Sequence, residues 1–84
     1  MAYEVQFEKK AFKQLEKLTE ETVEAILEAI EGLEIEPRPA GCKKLKGREA
    51  YRIRIGDYRV IYEIFDNKLL VLVVTIGHRK DVYE

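Results

Sequence analysis

Apolar and polar residues alternate through residues 50–65, AYRIRIGDYRVIYEIF, with Gly56 and Asp57 between the two halves. A period of two predicts a strand on each side, and Gly-Asp tolerates the positive φ of a two-residue turn. This turn sets the pairing as Ile55 with Tyr58, Arg54 with Arg59, Ile53 with Val60, and Arg52 with Ile61. The hairpin therefore places its three arginines on one face of a sheet.

The face that Arg52, Arg54 and Arg59 share is the first candidate site. Like charges opposite each other in a sheet are destabilising, by some fraction of about 1 kcal/mol. Guanidinium groups match phosphate oxygens two at a time, so the cluster suits an anion such as phosphate. The hairpin alone is equally compatible with an ordinary solvated face whose arginines are paired to Glu49, Asp57 and Glu63.

The first 37 residues predict one strand and two helices. Residues 2–7 alternate like a half-buried strand, and residues 9–18 then have helical spacing. Thr19 is a suitable N-cap for a second helix over about residues 20–35, which Pro37 ends. The expected buried positions of the two helices are Ala11, Phe12, Leu15, Leu18, Val23, Ile26, Leu27, Ile30 and Leu33.

The second half predicts a basic loop and a last strand. Residues 38–49 read as a loop with the cluster KKLKGR, and residues 68–76, KLLVLVVTI, read as a strand buried on both faces. The element order is β-α-α-β-β-β. It predicts an α+β fold in one domain, with a helix hairpin packed on one face of a small, mainly antiparallel sheet.

The last strand also predicts an apolar strip beside the arginines. A two-residue turn at Asp66-Asn67 would put Leu70, Leu72 and Val74 on the arginine face, together with Ile61. Such residues should not be left in water, so we expect a partner or the C-terminal tail to cover part of this face.

Charge divides the chain in a way that its net value of −1 conceals. Residues 1–36 carry four basic and ten acidic residues, a net charge of −6, whereas residues 37–84 carry eleven and six, a net charge of +5. The second half is thus the candidate anion-binding half. The single cysteine and the lack of an apolar leader in MAYEVQFEKK predict a cytoplasmic protein, and no metal-ligand spacing occurs.

Three segments together resemble the RelE branch of the RelE/ParE toxin superfamily: LKG at 45–47, YRIRIGDYRVIYEI at 51–64 and GHRKDVY at 77–83. The resemblance implies a RelE-like fold and a toxin of a type II toxin–antitoxin pair. Such toxins enter the ribosomal A site and cut mRNA by attack of the ribose 2′-OH on the adjacent phosphate. Neither a metal nor a small-molecule cofactor is implied, and the implied partners are the ribosome, mRNA and a RelB-like antitoxin that masks the arginine face.

The resemblance also implies roles for individual residues. The family's catalytic set falls on Arg52, Arg54, Arg59, Arg79 and Tyr83. RNA contacts are expected at Lys43, Lys44, Lys46, Arg48, His78 and Lys80. Antitoxin contacts are expected at Ile61, Leu70, Leu72 and Val74, or on the solvent side of the helices.

Arg52 and Arg54 stand where relatives have lysines. Arginine stays charged, so neither residue can be a general base, although both can stabilise charge on a phosphate. Proton transfer then falls to Tyr83, His78 or the ribosome. A histidine is nevertheless more often structural than catalytic, and Tyr83 lies near a terminus, where chains commonly fray.

Two other functions stay open at this point. A ParE-type toxin would poison DNA gyrase without a nuclease site, although that branch generally lacks the arginine and tyrosine set. A catalytically inactive homologue that only binds its antitoxin is also compatible with the arginine-for-lysine replacements.

Overall fold

The computed structural model describes residues 2–46, 49–78 and 80, and within them five strands and two α-helices form an α+β fold. In chain order the elements are β1 (Glu4–Phe7), α1 (Lys9–Glu16), α2 (Glu20–Gly32), β2 (Lys43–Lys44), β3 (Ala50–Ile55), β4 (Tyr58–Phe65), a 3₁₀ helix (Asp66–Lys68) and β5 (Leu70–His78). The predicted fold class is confirmed. The strand β2 was predicted as loop, because two residues are too few to show a period.

The sheet has the strand order β1-β5-β4-β3-β2. β1 lies parallel to β5, and every other pair is antiparallel, so the mainly antiparallel sheet is confirmed. The β3–β4 hairpin has the predicted register in all four pairs, including Arg54 with Arg59. Gly56 has a φ of +59°, which is the left-handed conformation that the turn required.

The connection between β4 and β5 differs from the predicted two-residue turn. Asp66–Lys68 forms a 3₁₀ helix, and Leu69 follows with a φ of +50°. β5 therefore begins two residues later than predicted, at Leu70, which lies opposite Phe65. A shift of two residues keeps the side chains of residues 70–73 on their predicted faces, because strand side chains alternate.

A bulge interrupts β5 in its middle. Ile61 pairs with Thr75, whereas the next residue of β4, Tyr62, pairs with Val73. Val74 is therefore the extra residue between two paired positions.

Helix α1 satisfies a backbone donor at the edge of β5, beyond the end of β1. The side-chain oxygen Oε1 of Gln14 accepts the N–H of Ile76 at 2.8 Å.

The two helices cover one face of the sheet, here called the inner face, and leave the other, the outer face, uncovered by helix. The main core is formed by Ala11, Leu15, Ile26, Ile30, Leu33, Tyr51, Ile53, Val60, Tyr62, Ile64, Val71, Val73 and Ile76.

Thr19 caps α2 as predicted, since its hydroxyl accepts the N–H of Thr22. Within the described residues, no helix is both long enough and apolar enough to cross a bilayer.

Phe12 was wrongly predicted as a core residue, because its side chain is 52% exposed. α1 ends at Glu16 and presents Ala11 and Leu15 to the sheet, four residues apart on one line. Phe12 follows Ala11 by about 100° around the helix, which turns its ring toward solvent.

Arg38 joins the segment after α2 to the 3₁₀ helix between β4 and β5. Its Nη2 lies 2.8 Å from Oδ2 of Asp66, and its Nε donates to the hydroxyl of Tyr51 at 3.0 Å. The hydroxyl of Tyr3 donates to Oδ1 of Asp66 at 2.6 Å. These hydrogen bonds, with Arg38 first, lower the pKa of Asp66.

We predict that Asp66→Asn destabilises the fold at neutral pH, because the amide keeps the shape of the side chain but loses its charge. A carboxyl group whose pKa is lowered on folding stabilises the folded state at pH values above its unfolded pKa. This contribution is lost as the pH falls through the folded pKa, which for Asp66 lies below 3.8. The urea midpoints of wild type and Asp66→Asn should therefore differ at neutral pH and converge as the pH falls below 3.8. Asn67→Ala is the control, and equal midpoints at neutral pH would count against the prediction.

Candidate functional site

The outer face carries a row of cationic side chains that four strand positions bring together. Arg54 and Arg59 lie opposite each other next to the Gly56 turn, and Arg52 lies one step further along β3. Lys43 of β2 is opposite Arg52, so it extends the row across the neighbouring strand. Three predicted catalytic residues and one predicted RNA contact thus share one surface.

The arginines differ in exposure. Arg54 is exposed and Arg59 is half-buried, whereas Arg52 is only 8% exposed. Burial lowers the pKa of Arg52, and the positive charges of Arg59 and Arg54 lower it further. Arginine nevertheless stays protonated in proteins. The face therefore concentrates positive charge in a partly desolvated setting, where an anion gains more from each cation than it would in water.

Part of the outer face is covered by the basic loop itself. Leu45, Ala50 and Ile61 form a second buried cluster, with exposures of 6%, 0% and 5%. We expected a partner or the tail to provide such cover, but within the described residues Leu45 provides it. Ile61 was predicted to contact an antitoxin, and its burial under Leu45 makes it a poor contact residue.

The loop lysines do not all point the same way. Lys44 pairs with Tyr51, an inner-face residue, and its Nζ lies 3.3 Å from Oε1 of Glu49. Lys46 is exposed after the strand ends. Of the three loop lysines, Lys43 is the one that the strand register joins to the arginines.

His78 lies on the inner side of the sheet, away from the arginines. It pairs with Tyr58, and the two rings meet edge to face with centroids 5.6 Å apart. Its Nδ1 accepts the backbone N–H of Lys80, which is itself exposed. These contacts favour the structural interpretation of His78 over proton transfer at the arginine face.

Three of the predicted site residues, Arg48, Arg79 and Tyr83, lie outside the described residues. Among the described residues, no group of three or more His, Cys, Asp or Glu side chains is placed to hold a metal ion.

The apolar strip at the other end of the outer face retains three of its four predicted members. Leu70 and Leu72 are half-buried and lie opposite Phe65 and Glu63, and Val74 occupies the bulge. The outer face thus divides into a cationic end near the Gly56 turn and an apolar end near the 3₁₀ helix.

Sequence reasoning missed Leu45 and Arg38, because both lie in a segment interpreted as a polar loop. The sequence feature that could have identified Leu45 is its position as the one apolar residue in the charged run KKLKGR. An isolated leucine in such a run indicates a buried side chain. Arg38 carried no comparable signal, since its partners are 13 and 28 residues away.

The family described as "ParE toxin of type II toxin-antitoxin system, parDE" matches residues 5–83 of the chain. The chain belongs to this toxin family. Within this family the chain is RelE-like, because its relatives include named RelE toxins. It is 31% identical to the mRNA interferase toxin RelE of Escherichia coli K12, over 95% of this chain and 86% of that protein. It is 35% identical to Toxin RelG of Mycobacterium tuberculosis, over 99% of this chain and 98% of that protein.

Solved toxin structures share the architecture of this RelE-like toxin. A chain of the archaeal RelE–RelB complex of Pyrococcus horikoshii matches with a TM-score of 0.82 and 30% identity, over 98% of this chain and 100% of that chain. A chain of the intact RelBE toxin–antitoxin complex of E. coli matches with a TM-score of 0.82 and 29% identity, over 92% and 96%. The fold described above is therefore the RelE fold.

Proposed function

We propose that this RelE-like toxin is a ribosome-dependent endoribonuclease that cleaves mRNA in the A site and so inhibits translation in the cytoplasm. The observation that carries the proposal is the arginine cluster of Arg52, Arg54 and Arg59, which the hairpin register gathers on one sheet face. A relative that is named an mRNA interferase supports it, because the two sequences match across 95% of this chain.

The proposed reaction is attack of a ribose 2′-OH on the adjacent phosphate. A bond forms between the 2′ oxygen and phosphorus, and the bond to the 5′ oxygen breaks, leaving a 2′,3′-cyclic phosphate and a 5′-OH. Negative charge develops on the phosphate oxygens in the transition state. We propose that Arg59 holds this phosphate and that Arg54 and Arg52 supply further positive charge, so the proposed mechanism requires no metal ion. The burial of Arg52 and the partial burial of Arg59 support this assignment, because charge acts more strongly in a partly desolvated site.

The reaction also needs a proton to leave the 2′-OH and another to reach the 5′ oxygen. The arginines remain protonated and cannot accept one, and His78 lies on the inner face against Tyr58. We therefore assign proton transfer to Tyr83 or to the ribosome. The remaining cations of the predicted site would contact RNA phosphates. They are Arg79 among the catalytic residues and, along the RNA path, Lys43, Lys44, Lys46, Arg48 and Lys80.

From this division of roles we predict that the isolated toxin cuts naked mRNA poorly or not at all. The arginines supply charge but cannot accept a proton, so we expect the ribosome to complete the site. Primer extension on the same mRNA, free and bound in ribosomes, measures the difference. Strong breaks on ribosomes with none on free RNA are expected, and equal cleavage of the two would contradict the proposal.

A RelB-like antitoxin is the second proposed partner. The structures that match this chain include RelE–RelB complexes from three organisms. We propose that the antitoxin covers the apolar end of the outer face at Leu70, Leu72 and Val74, where half-buried side chains lack cover from the helices. A segment lying there would extend toward the arginines and block access of RNA.

A gyrase poison is the alternative, because the matching family is described as ParE. Toeprinting on translating ribosomes and a gyrase supercoiling assay, run with one preparation of folded, antitoxin-free protein, distinguish the two functions. A-site breaks without loss of supercoiling support the endoribonuclease. Loss of supercoiling without breaks supports the gyrase poison, and neither effect would indicate an inactive homologue.

A further inference from the structure

The second buried cluster attaches the basic loop to the outer face. Ala50 and Ile61 hold outer-face positions of β3 and β4, and Leu45 packs with them. The N–H of Leu45 donates to the carbonyl of Ala50 at 2.8 Å, which extends the β2–β3 pairing by one residue. β2 itself consists of only two residues, Lys43 and Lys44. The packing and the backbone hydrogen bond of Leu45 are therefore a large part of what holds β2 against β3.

Arg52 lies in the middle of this contact. It is opposite Lys43 on one side and Ile61 on the other, and Ala50 is the adjacent outer-face position on its own strand. Its 8% exposure is low for a charged residue on a face without a helix. Arginine stems lie along apolar surface while their heads stay polar, and Leu45, Ala50 and Ile61 provide that surface.

We infer that Leu45 is a positioning residue for the arginine cluster: packed on Ala50 and Ile61, it holds Lys43 and Arg52 side by side on the outer face. The effect on cleavage rests on the proposed function, whereas the effect on Arg52 does not. Groups held in place before the reaction stabilise the transition state without reorganising, so looser packing here lowers the cleavage rate.

Leu45→Ala tests the inference through Arg52 directly. Solvent exchange of the Arg52 Nε–H, followed by NMR in the isolated full chain, should accelerate by about tenfold or more as the anchor opens. Leu45→Met should restore slow exchange, because it refills the space. Leu15→Ala is the matched control, since Leu15 is a leucine of similar burial, 7% exposed, in the main core. It should leave Arg52 exchange unchanged.

A-site cleavage on ribosomes provides the functional readout. We expect Leu45→Ala to cut about tenfold more slowly, with Leu45→Met near wild type. If Leu45→Ala does not fold, Ile61→Val removes one methylene from the same cluster and should accelerate Arg52 exchange to a smaller degree. Unchanged Arg52 exchange in the folded variants overturns the inference. A wild-type toxin that cuts nothing overturns the proposed function instead, and the exchange measurement still decides the role of Leu45.

Discussion

Arg59→Ala is expected to reduce A-site cleavage by about 10²–10³-fold, the loss typical of removing one group that stabilises transition-state charge. Arg59 is half-buried on the outer face and lies directly opposite Arg54. Its removal takes a guanidinium fork from the proposed phosphate position. It also relieves a like-charge pair, so the free energy of unfolding should change by less than about 1 kcal/mol.

The measurement is single-turnover cleavage in programmed ribosomes, with urea unfolding of the same preparations. Arg59→Lys separates charge from geometry, because lysine keeps the charge but cannot bind two oxygens at once, and an intermediate rate is expected. Lys17→Ala removes one exposed positive charge at the end of α1 and should cut like wild type. Full activity in Arg59→Ala, or a variant that does not fold, would contradict the assignment.

The hairpin could be predicted from sequence in detail because its information is local. Alternation fixed which side chains share a face, and Gly56 with its positive φ fixed the turn, so the register followed without any knowledge of the rest of the chain. The link at Asp66–Lys68 could not be predicted in the same way, because Leu69 adopts a positive φ that nothing in its residue type requires. The error did not change the faces of residues 70–73, since it shifted this part of β5 by an even number of residues.

The candidate site was less predictable than the fold because burial depends on distant segments. The hairpin showed that Arg52 shares a face with Arg54 and Arg59, but not that Arg52 would be only 8% exposed or that Leu45 would pack on Ala50 and Ile61. The same cover removes Ile61 from the accessible strip. The bulge at Val74 also hid the position of His78, because it reverses the faces of the residues that follow and places His78 opposite Tyr58 on the inner face.

The outer face combines two surfaces that need different chemistry. Arg54 and Arg59 at one end suit an anion, whereas Leu70 and Leu72 at the other end suit an apolar segment of a protein. The arginines lie on β3 and β4, and the leucines lie on the neighbouring strand β5 of the same sheet face. One antitoxin segment on the apolar end can therefore also obstruct the cationic end. This arrangement predicts that substitutions at the two ends separate the two proposed activities.

Leu72→Lys is accordingly expected to weaken antitoxin binding by about 10²–10³-fold while leaving cleavage near the wild-type rate. Leu72 is half-buried on the outer face. A lysine there would have to lose its hydration in an apolar interface, and the expected loss of binding free energy is that of disrupting a central interface contact. The free toxin should tolerate the change, because residue 72 lies opposite Glu63 and opposite charges across strands are favourable.

Calorimetry with the antitoxin measures the affinity, and A-site cleavage is measured on the same protein without it. Leu72→Met is the matched control, since it keeps an apolar side chain of similar volume and should bind the antitoxin almost as wild type does. Arg59→Ala provides the reciprocal case, with cleavage lost and antitoxin binding largely kept. Wild-type affinity in Leu72→Lys would place the antitoxin elsewhere, and joint loss of both activities would mean that the two ends of the outer face do not act separately.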